Sequence, residues 1–308
     1  MLLPVAAALA VLAGARTAYA RRRERAFAAR RPAGDDGVIP GARTIDLESL
    51  DPDAPAALLL HGFGDTPQTL AALAEHLHRL GWSVRAPLLP GHGRSLPAFA
   101  ASRADGWVDF ARDEWLRFRE RHPRAALVGL SMGGAIATVL AAESSSPPTA
   151  LALVAPYVSM PTTVRRAALA HWLLGAALPY VSGGGERSVH DDAARDASLA
   201  YGACTPRLLA ELASIVARAR RALPAVRVPT LVVQSRHDNR IPPDAAARAF
   251  EMLGAPVKEL AWTDIGGHVI TVDVGRERVF ALVEDWLVAH GGAAAERPRR
   301  AVRSGARL

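Results

Sequence analysis

Ala125-Ala126-Leu127-Val128-Gly129-Leu130-Ser131-Met132-Gly133-Gly134-Ala135 is the stretch of this 308-residue chain on which the fold turns. Ala125 to Leu130 is apolar throughout and has the length of a strand buried on both faces, while Met132 to Ala142 continues at helical spacing without proline. Between them lies a G-x-S-x-G pattern, Gly129-Leu130-Ser131-Met132-Gly133, on a strand-to-helix turn. Such a turn forces the serine backbone into a strained conformation and demands minimal residues two before and two after it, which Gly129 and Gly133 supply. The plainer reading is a glycine-rich turn whose serine caps the helix beginning near Met132, since serine is a good N-cap.

Outward from this turn, short β-branched or Leu-rich runs alternate with longer helical patterns, the signature of a mainly parallel sheet covered by helices. The runs predict strands at Ala56 to Leu60, Ser83 to Pro87, Ala125 to Leu130, Leu151 to Ala155, Thr230 to Gln234 and Val257 to Trp262, with a weaker one near Thr44 to Leu47. Helical patterns fill the gaps at Pro67 to Leu80, Gly106 to Arg121, Met132 to Ala142, Pro243 to Leu253 and Arg276 to His290, as right-handed crossovers require. Residues 157–228 break the rhythm. They read as helices at Thr162 to Leu178, Asp191 to Ala200 and Pro206 to Leu223 with Gly183-Gly184-Gly185 between, a lid inserted after a strand rather than a second domain.

A serine hydroxyl needs a base within hydrogen-bond reach and a carboxylate to orient that base. Asp238 follows one predicted strand in Ser235-Arg236-His237-Asp238, and His268 follows the last in Gly266-Gly267-His268, giving the order Ser131, Asp238, His268. All three then lie beyond the carboxyl ends of strands, where open α/β sheets bind ligands. His61 in His61-Gly62-Phe63-Gly64 and His92 in Pro90-Gly91-His92-Gly93 are rival bases read as loop-stabilising, and His237 is read as a loop residue. Asp264 and Asp273 are rival acids that come too late in the chain. The developing oxyanion needs donors, which in this architecture are the N–H groups of Met132 and Phe63.

Half of the residues are apolar, 22% charged and 6% aromatic, which is ordinary globular composition. The formal charge of +7 sits in the tails: residues 1–31 carry seven arginines against Glu24, and residues 291–308 carry five against Glu296, so +7 less +6 and +4 leaves 32–290 at −3. A mildly acidic body without a basic face argues against nucleic acid. Cys204 is the one cysteine, so no intramolecular disulfide forms. His76 and His78, two apart on a helix, face different ways, and no metal or nucleotide loop motif is present, so neither metal nor cofactor is expected.

Residues 1–31 read as targeting rather than fold. Leu2 to Ala15 is apolar and precedes Arg16, Arg21, Arg22, Arg23 and Arg25. That charge order favours an anchor that holds the catalytic domain on the cytoplasmic side of a membrane through residues 1–25. A signal cleaved after Ala18-Tyr19-Ala20, a poorly ordered Ala-rich amphipathic extension that merely grazes a membrane surface, or a soluble cytoplasmic protein are the alternatives, because fourteen residues fall short of the roughly 20 that span a bilayer. The tail 291–308 reads as basic and disordered.

Taken together, His61-Gly62-Phe63-Gly64, Pro90-Gly91-His92-Gly93, Gly129-Leu130-Ser131-Met132-Gly133-Gly134, Val232 to Asp238 and Gly267-His268-Val269-Ile270-Thr271-Val272-Asp273 resemble the α/β-hydrolase-fold serine esterases. Within them the likeness is to the small bacterial carboxylesterase and monoacylglycerol lipase group, from about Ala56 to Leu287. The resemblance implies Ser131 as nucleophile, His268 as base, Asp238 as acid, backbone oxyanion donors at Phe63 and Met132, and a small helical lid between strands six and seven of the family's sheet. It implies hydrolysis of a small-molecule ester or monoacylglycerol-like lipid. An acyltransferase, a serine aminopeptidase or a non-catalytic binding protein on the same fold are the rival functions. Epoxide hydrolases and dehalogenases of this fold carry aspartate where this chain has Ser131. Met160, Trp172, Leu173 and Leu178 are the lid candidates for lining an apolar acyl pocket, with plain core as the commoner role of such residues at helical spacing.

Overall fold

The computed structural model describes residues 2–182 and 188–291, so Gly183-Gly184-Gly185 and all of the basic tail beyond Gly291 lie outside the described residues. In chain order the elements are α1 (Leu2–Arg30), β1 (Ile45–Leu47), β2 (Ala56–Leu60), α2 (Ala71–Arg79), β3 (Ser83–Ala86), α3 (Leu96–Ala100), α4 (Ala104–Arg121), β4 (Ala125–Leu130), α5 (Met132–Glu143) and β5 (Leu151–Val154). There follow α6 (Thr162–Leu169), α7 (His171–Ala177), β6 (Val181–Ser182), α8 (Asp192–Ala197), β7 (Ala203–Cys204), α9 (Pro206–Ala222), β8 (Thr230–Ser235), α10 (Pro243–Met252), β9 (Lys258–Thr263) and α11 (Arg276–His290).

Seven strands form the main sheet in the order β1-β3-β2-β4-β5-β8-β9, parallel except for the short antiparallel edge strand β1. Alternation along each strand divides the interior into two cores. Leu58, Leu60, Ala125 and Leu127 face one side with Trp107 and Trp115 of α4, Ile136 and Val139 of α5, and Leu208 and Ile215 of α9. Ala57, Leu59, Ala126, Val128 and Leu130 face the other, with Leu73 and Leu77 of α2 and Phe280, Val283 and Trp286 of α11. Burial on both faces is why these strands read as continuous apolar runs rather than alternating ones.

The excursion leaves after β5 and returns at β8. In this sheet those are the fifth and sixth strands, one lower than the family count, since only β1 precedes β2. It is helical as expected but adds a two-stranded antiparallel pair, β6 with β7, too short for sequence periodicity to reveal. Amphipathic α9 packs on α5, and α6 and α7 rest on α9. Ala168 is the sole buried residue of α6, and α7 and α8 bury none.

Residues 16–31 depart from the expectation of a segment apart from the fold. Phe27 is buried in the first core, and Ala20 packs against it. Arg16 Nε donates to the Gly175 carbonyl at 3.1 Å, Arg23 donates to Ser182 Oγ at 3.1 Å, and Tyr180 Oη donates to Glu24 Oε1 at 2.8 Å. The second half of α1 is therefore fastened along the excursion. The first half leaves Val11 and Leu12 exposed. Among the described residues no helix is long and apolar enough to cross a membrane.

Candidate active site

The turn after β4 is built by steric exclusion. A Cβ on Gly129 would meet the Gly133 carbonyl oxygen at 2.5 Å, and one on Gly133 would fall inside the carbonyl of Leu60. Neither obstacle is a side chain that can swing away, so both positions admit glycine alone. Ser131 sits between them at φ 55° and ψ −117°, a positive φ that costs a non-glycine residue about 1–3 kcal/mol. Its N–H donates to the Val154 carbonyl and its C=O accepts from Ala135 and Tyr157, which hold the strained residue in place.

Although Ser131 stands at the N-cap position of α5, its hydroxyl makes no capping bond. It donates instead to His268 Nε2 at 2.8 Å, and His268 Nδ1–H donates to Asp238 Oδ2 at 2.8 Å. The cap reading thus fails, and the three residues predicted from three separate loops are brought together. Asp238 is enclosed: Oδ2 also accepts from Gln234 Nε2 at 2.7 Å, and Oδ1 accepts from the amides of Arg240 at 2.7 Å and Ile241 at 2.9 Å. Burial opposes ionisation of this carboxyl, but the attraction of His268 and these hydrogen bonds outweigh it and hold Asp238 below the usual carboxylate range.

Phe63 follows Gly62, whose position is tight but less confined, since a Cβ there would lie 3.3 Å from Ser131 Cβ. His61 and His92 brace this loop. His61 Nε2 accepts from the Leu89 amide at 3.1 Å, and its Nδ1–H donates to the Gly62 carbonyl at 3.0 Å. His92 Nε2 accepts from the Gly64 amide at 3.2 Å, and its Nδ1–H donates to Pro90. Burial lowers His61 to about 4 and His92 well below its ordinary value, so both rings are neutral acceptors. Met132 is the first residue of α5 and is wholly buried. Asp65, at the end of the same loop, is pushed up to about 7 by burial, against the Thr66 amide, the Thr69 hydroxyl and the charge of His268.

The remaining rivals are apart from Ser131. His237 is exposed, and Asp264 pairs with Arg236 at 3.1 Å. His76 bonds Glu284 and His78 bonds the Trp82 carbonyl, two separate engagements. Asp273 has a role that sequence reading missed: it accepts from the amides of Gly267 at 2.6 Å and of His190, Asp191 and Val274 at 2.8 Å each, tying the His268 loop to the excursion. Tyr157, whose ring lies 6.2 Å from His268, and Gln234 were also missed, and a Tyr three residues past the end of β5 carries no signal of that placement. Of the expected pocket residues, Met160 is partly buried against the core, whereas Trp172, Leu173 and Leu178 are exposed by 71%, 58% and 45%. Neither pocket lining nor the plain core that helical spacing otherwise suggests describes these last three, which meet solvent.

A family model described as "Serine aminopeptidase, S33" (Hydrolase_4) matches residues 52–275. The chain belongs to that family. It is 27% identical over 237 residues to the thermostable monoacylglycerol lipase of Bacillus sp. (strain H-257), covering 76% of this chain and 91% of that protein. It is 25% identical over 234 residues to the carboxylesterase of Bacillus subtilis (strain 168), covering 75% and 92%. Among solved structures it superposes with a TM-score of 0.72 on a chain from the study of LipS and LipT, two metagenome-derived lipolytic enzymes, at 28% identity and covering 82% of this chain and all of that one. The protein is accordingly an α/β-hydrolase enzyme, and the relatives just named, by sequence and by structure, are lipases and esterases. The whole of α1 lies ahead of the matched segment.

Proposed function

We propose that this α/β-hydrolase is a serine carboxylic-ester hydrolase of the carboxylesterase or monoacylglycerol lipase type. The observation that carries the reading is the line from Ser131 Oγ through both nitrogens of His268 to Asp238, with both hydrogen bonds at 2.8 Å and the serine held on a strained turn. Ser131 Oγ attacks the ester carbonyl carbon while its proton passes to His268 Nε2. Asp238, kept ionised, orients the ring and stabilises the imidazolium. The negative charge moves to the carbonyl oxygen, where the N–H groups of Met132 and Phe63 are the donors. Collapse expels the alcohol with the proton from His268. Water, deprotonated by the same nitrogen, then releases the acid and restores Ser131.

The named relatives support an ester or a monoacylglycerol-like lipid as substrate. Association with a lipid surface, rather than passage across it, is the form of membrane contact this chain suits: Val11 and Leu12 of α1 and Leu169, Trp172 and Leu173 of the excursion are exposed, with Arg21, Arg22 and Arg25 along the same helix. The same acyl-enzyme would pass to an alcohol or amine in an acyltransferase, or arise from a peptide in an aminopeptidase. One experiment separates these: the full chain is assayed on p-nitrophenyl esters from acetate to palmitate, on 1-monoacylglycerols and on aminoacyl p-nitroanilides, with and without added alcohol. Ester hydrolysis that falls at least about 10³-fold in Ser131→Ala is expected. Preference for the anilides, or acyl transfer in place of acid release, overturns the reading.

A further inference from the structure

We propose that Phe27 of α1 is a positioning residue for the oxyanion loop and acts through Tyr201. The proposal rests on the serine-hydrolase reading above, and it assigns a catalytic consequence to a helix that lies wholly outside the matched family segment.

Gly64, the residue after Phe63, is gripped at both ends of its backbone. Its N–H donates to His92 Nε2 at 3.2 Å, and its C=O accepts from the Tyr201 amide at 2.9 Å. At φ +66° it has no side chain with which to fix itself, so these two bonds set the plane on which Phe63 is carried. Tyr201 reaches the second bracing loop as well, since its hydroxyl accepts from the Arg94 amide at 3.0 Å and lies 3.0 and 2.9 Å from the carbonyls of Gly91 and Arg94. The position of Tyr201 therefore fixes the oxyanion loop from two sides.

Tyr201 is itself held in a stack of rings. Phe99 lies on one side of it at 4.4 Å and 3°, and Phe27 stacks on it at 4.9 Å and 22°. Phe99 in turn meets Phe63 at 5.2 Å and His92 at 4.8 Å. The path from α1 to the oxyanion loop is thus Phe27, Tyr201 and Phe99, each ring packed on the next, with Arg31 just beyond the helix donating to the Ser198 carbonyl beside it. Without the Phe27 ring, Tyr201 loses an aromatic partner and gains access to water. The donor it gives to Gly64 is then free to wander by the tenths of an ångström that matter to an oxyanion hydrogen bond.

The test uses the full chain and p-nitrophenyl butyrate, with Phe27→Ala, Phe27→Leu, Phe27→Tyr and, on the same helix, Arg23→Ala. Rates are taken well below each variant's melting temperature, alongside inhibition by an alkyl trifluoromethyl ketone, whose hemiketal with Ser131 places an oxyanion where the substrate's forms. Complete loss of one oxyanion donor costs about 10²–10³ in kcat, so a loosened one should lower kcat of Phe27→Ala about 10-fold, with KM little changed and ketone affinity falling by the same factor. Phe27→Tyr, which keeps the ring, should restore both, and Arg23→Ala should leave both unaltered. If Phe27→Ala does not fold, Phe27→Leu, which keeps the volume and lacks the ring, decides the matter. Unchanged kcat and ketone affinity in a folded Phe27 variant overturn the positioning role while leaving the hydrolase reading intact. A wild-type chain that neither cleaves esters nor binds the ketone overturns the hydrolase reading and this proposal with it.

Discussion

Around Ser131 the neighbours that matter are backbone: the Gly133 carbonyl blocks a side chain at Gly129, and the Leu60 carbonyl blocks one at Gly133. On α7, by contrast, no residue is buried, and Trp172 and Leu173 stand in solvent. One region is fixed by what cannot overlap, the other by a handful of hydrogen bonds at its edges. Precision of a reacting atom comes from the first kind of constraint, and freedom to admit a substrate from the second.

The largest expected effect breaks the first region. Gly133→Ala forces a methyl group into the Leu60 carbonyl, and it should cost more than about 4 kcal/mol or prevent folding, read by urea denaturation and soluble yield. The joint between the two regions comes next. Asp273→Ala leaves four amides without their acceptor, those of Gly267 and Val274 on the His268 side and of His190 and Asp191 on the excursion, for about 2–4 kcal/mol in the same assay.

Asp65 offers a test with a definite sign. Burial raises its folded-state value to about 7, from an ordinary value of 3.8, so the proton it keeps favours the folded chain below pH 3.8, and that contribution is lost as pH rises through 7. Asp65→Asn should therefore flatten the fall in melting temperature between about pH 4 and pH 7 while matching wild type at the acid end. The smallest effect belongs to the second region: Trp172→Ser should change stability by less than about 0.5 kcal/mol in the same denaturation series, since the side chain is 71% exposed.

The same contrast explains what could be read from sequence. The strands beginning at Ala56, Ser83, Ala125, Leu151 and Thr230 start where they were expected, and at Ala56, Ala125 and Leu151 this is because burial on both faces writes an unbroken apolar run. Ser131, Asp238 and His268 were legible because each follows a strand in the order the architecture needs. The bonds that position them were not legible, since Gln234 acts through its side chain on the Asp238 carboxylate, while Asp273 and Tyr201 reach backbone amides and carbonyls that include His190, Asp191 and Gly64, far off in the chain. Residues 16–31 misled for a related reason: in an Ala- and Arg-rich helix, Phe27 alone carries the docking signal, and one aromatic residue makes no periodicity.

The central claim is that Ser131 is the nucleophile. An alkyl fluorophosphonate offered in slight excess to the full chain, to Ser131→Ala and to His268→Ala, with intact mass and ester hydrolysis followed in parallel, tests it most directly. The account predicts one phosphonyl adduct per wild-type chain, mapped to Ser131 and formed in step with loss of activity, none in Ser131→Ala, and slow labelling in His268→Ala. An adduct on another residue, or ester hydrolysis that persists in Ser131→Ala, would contradict it.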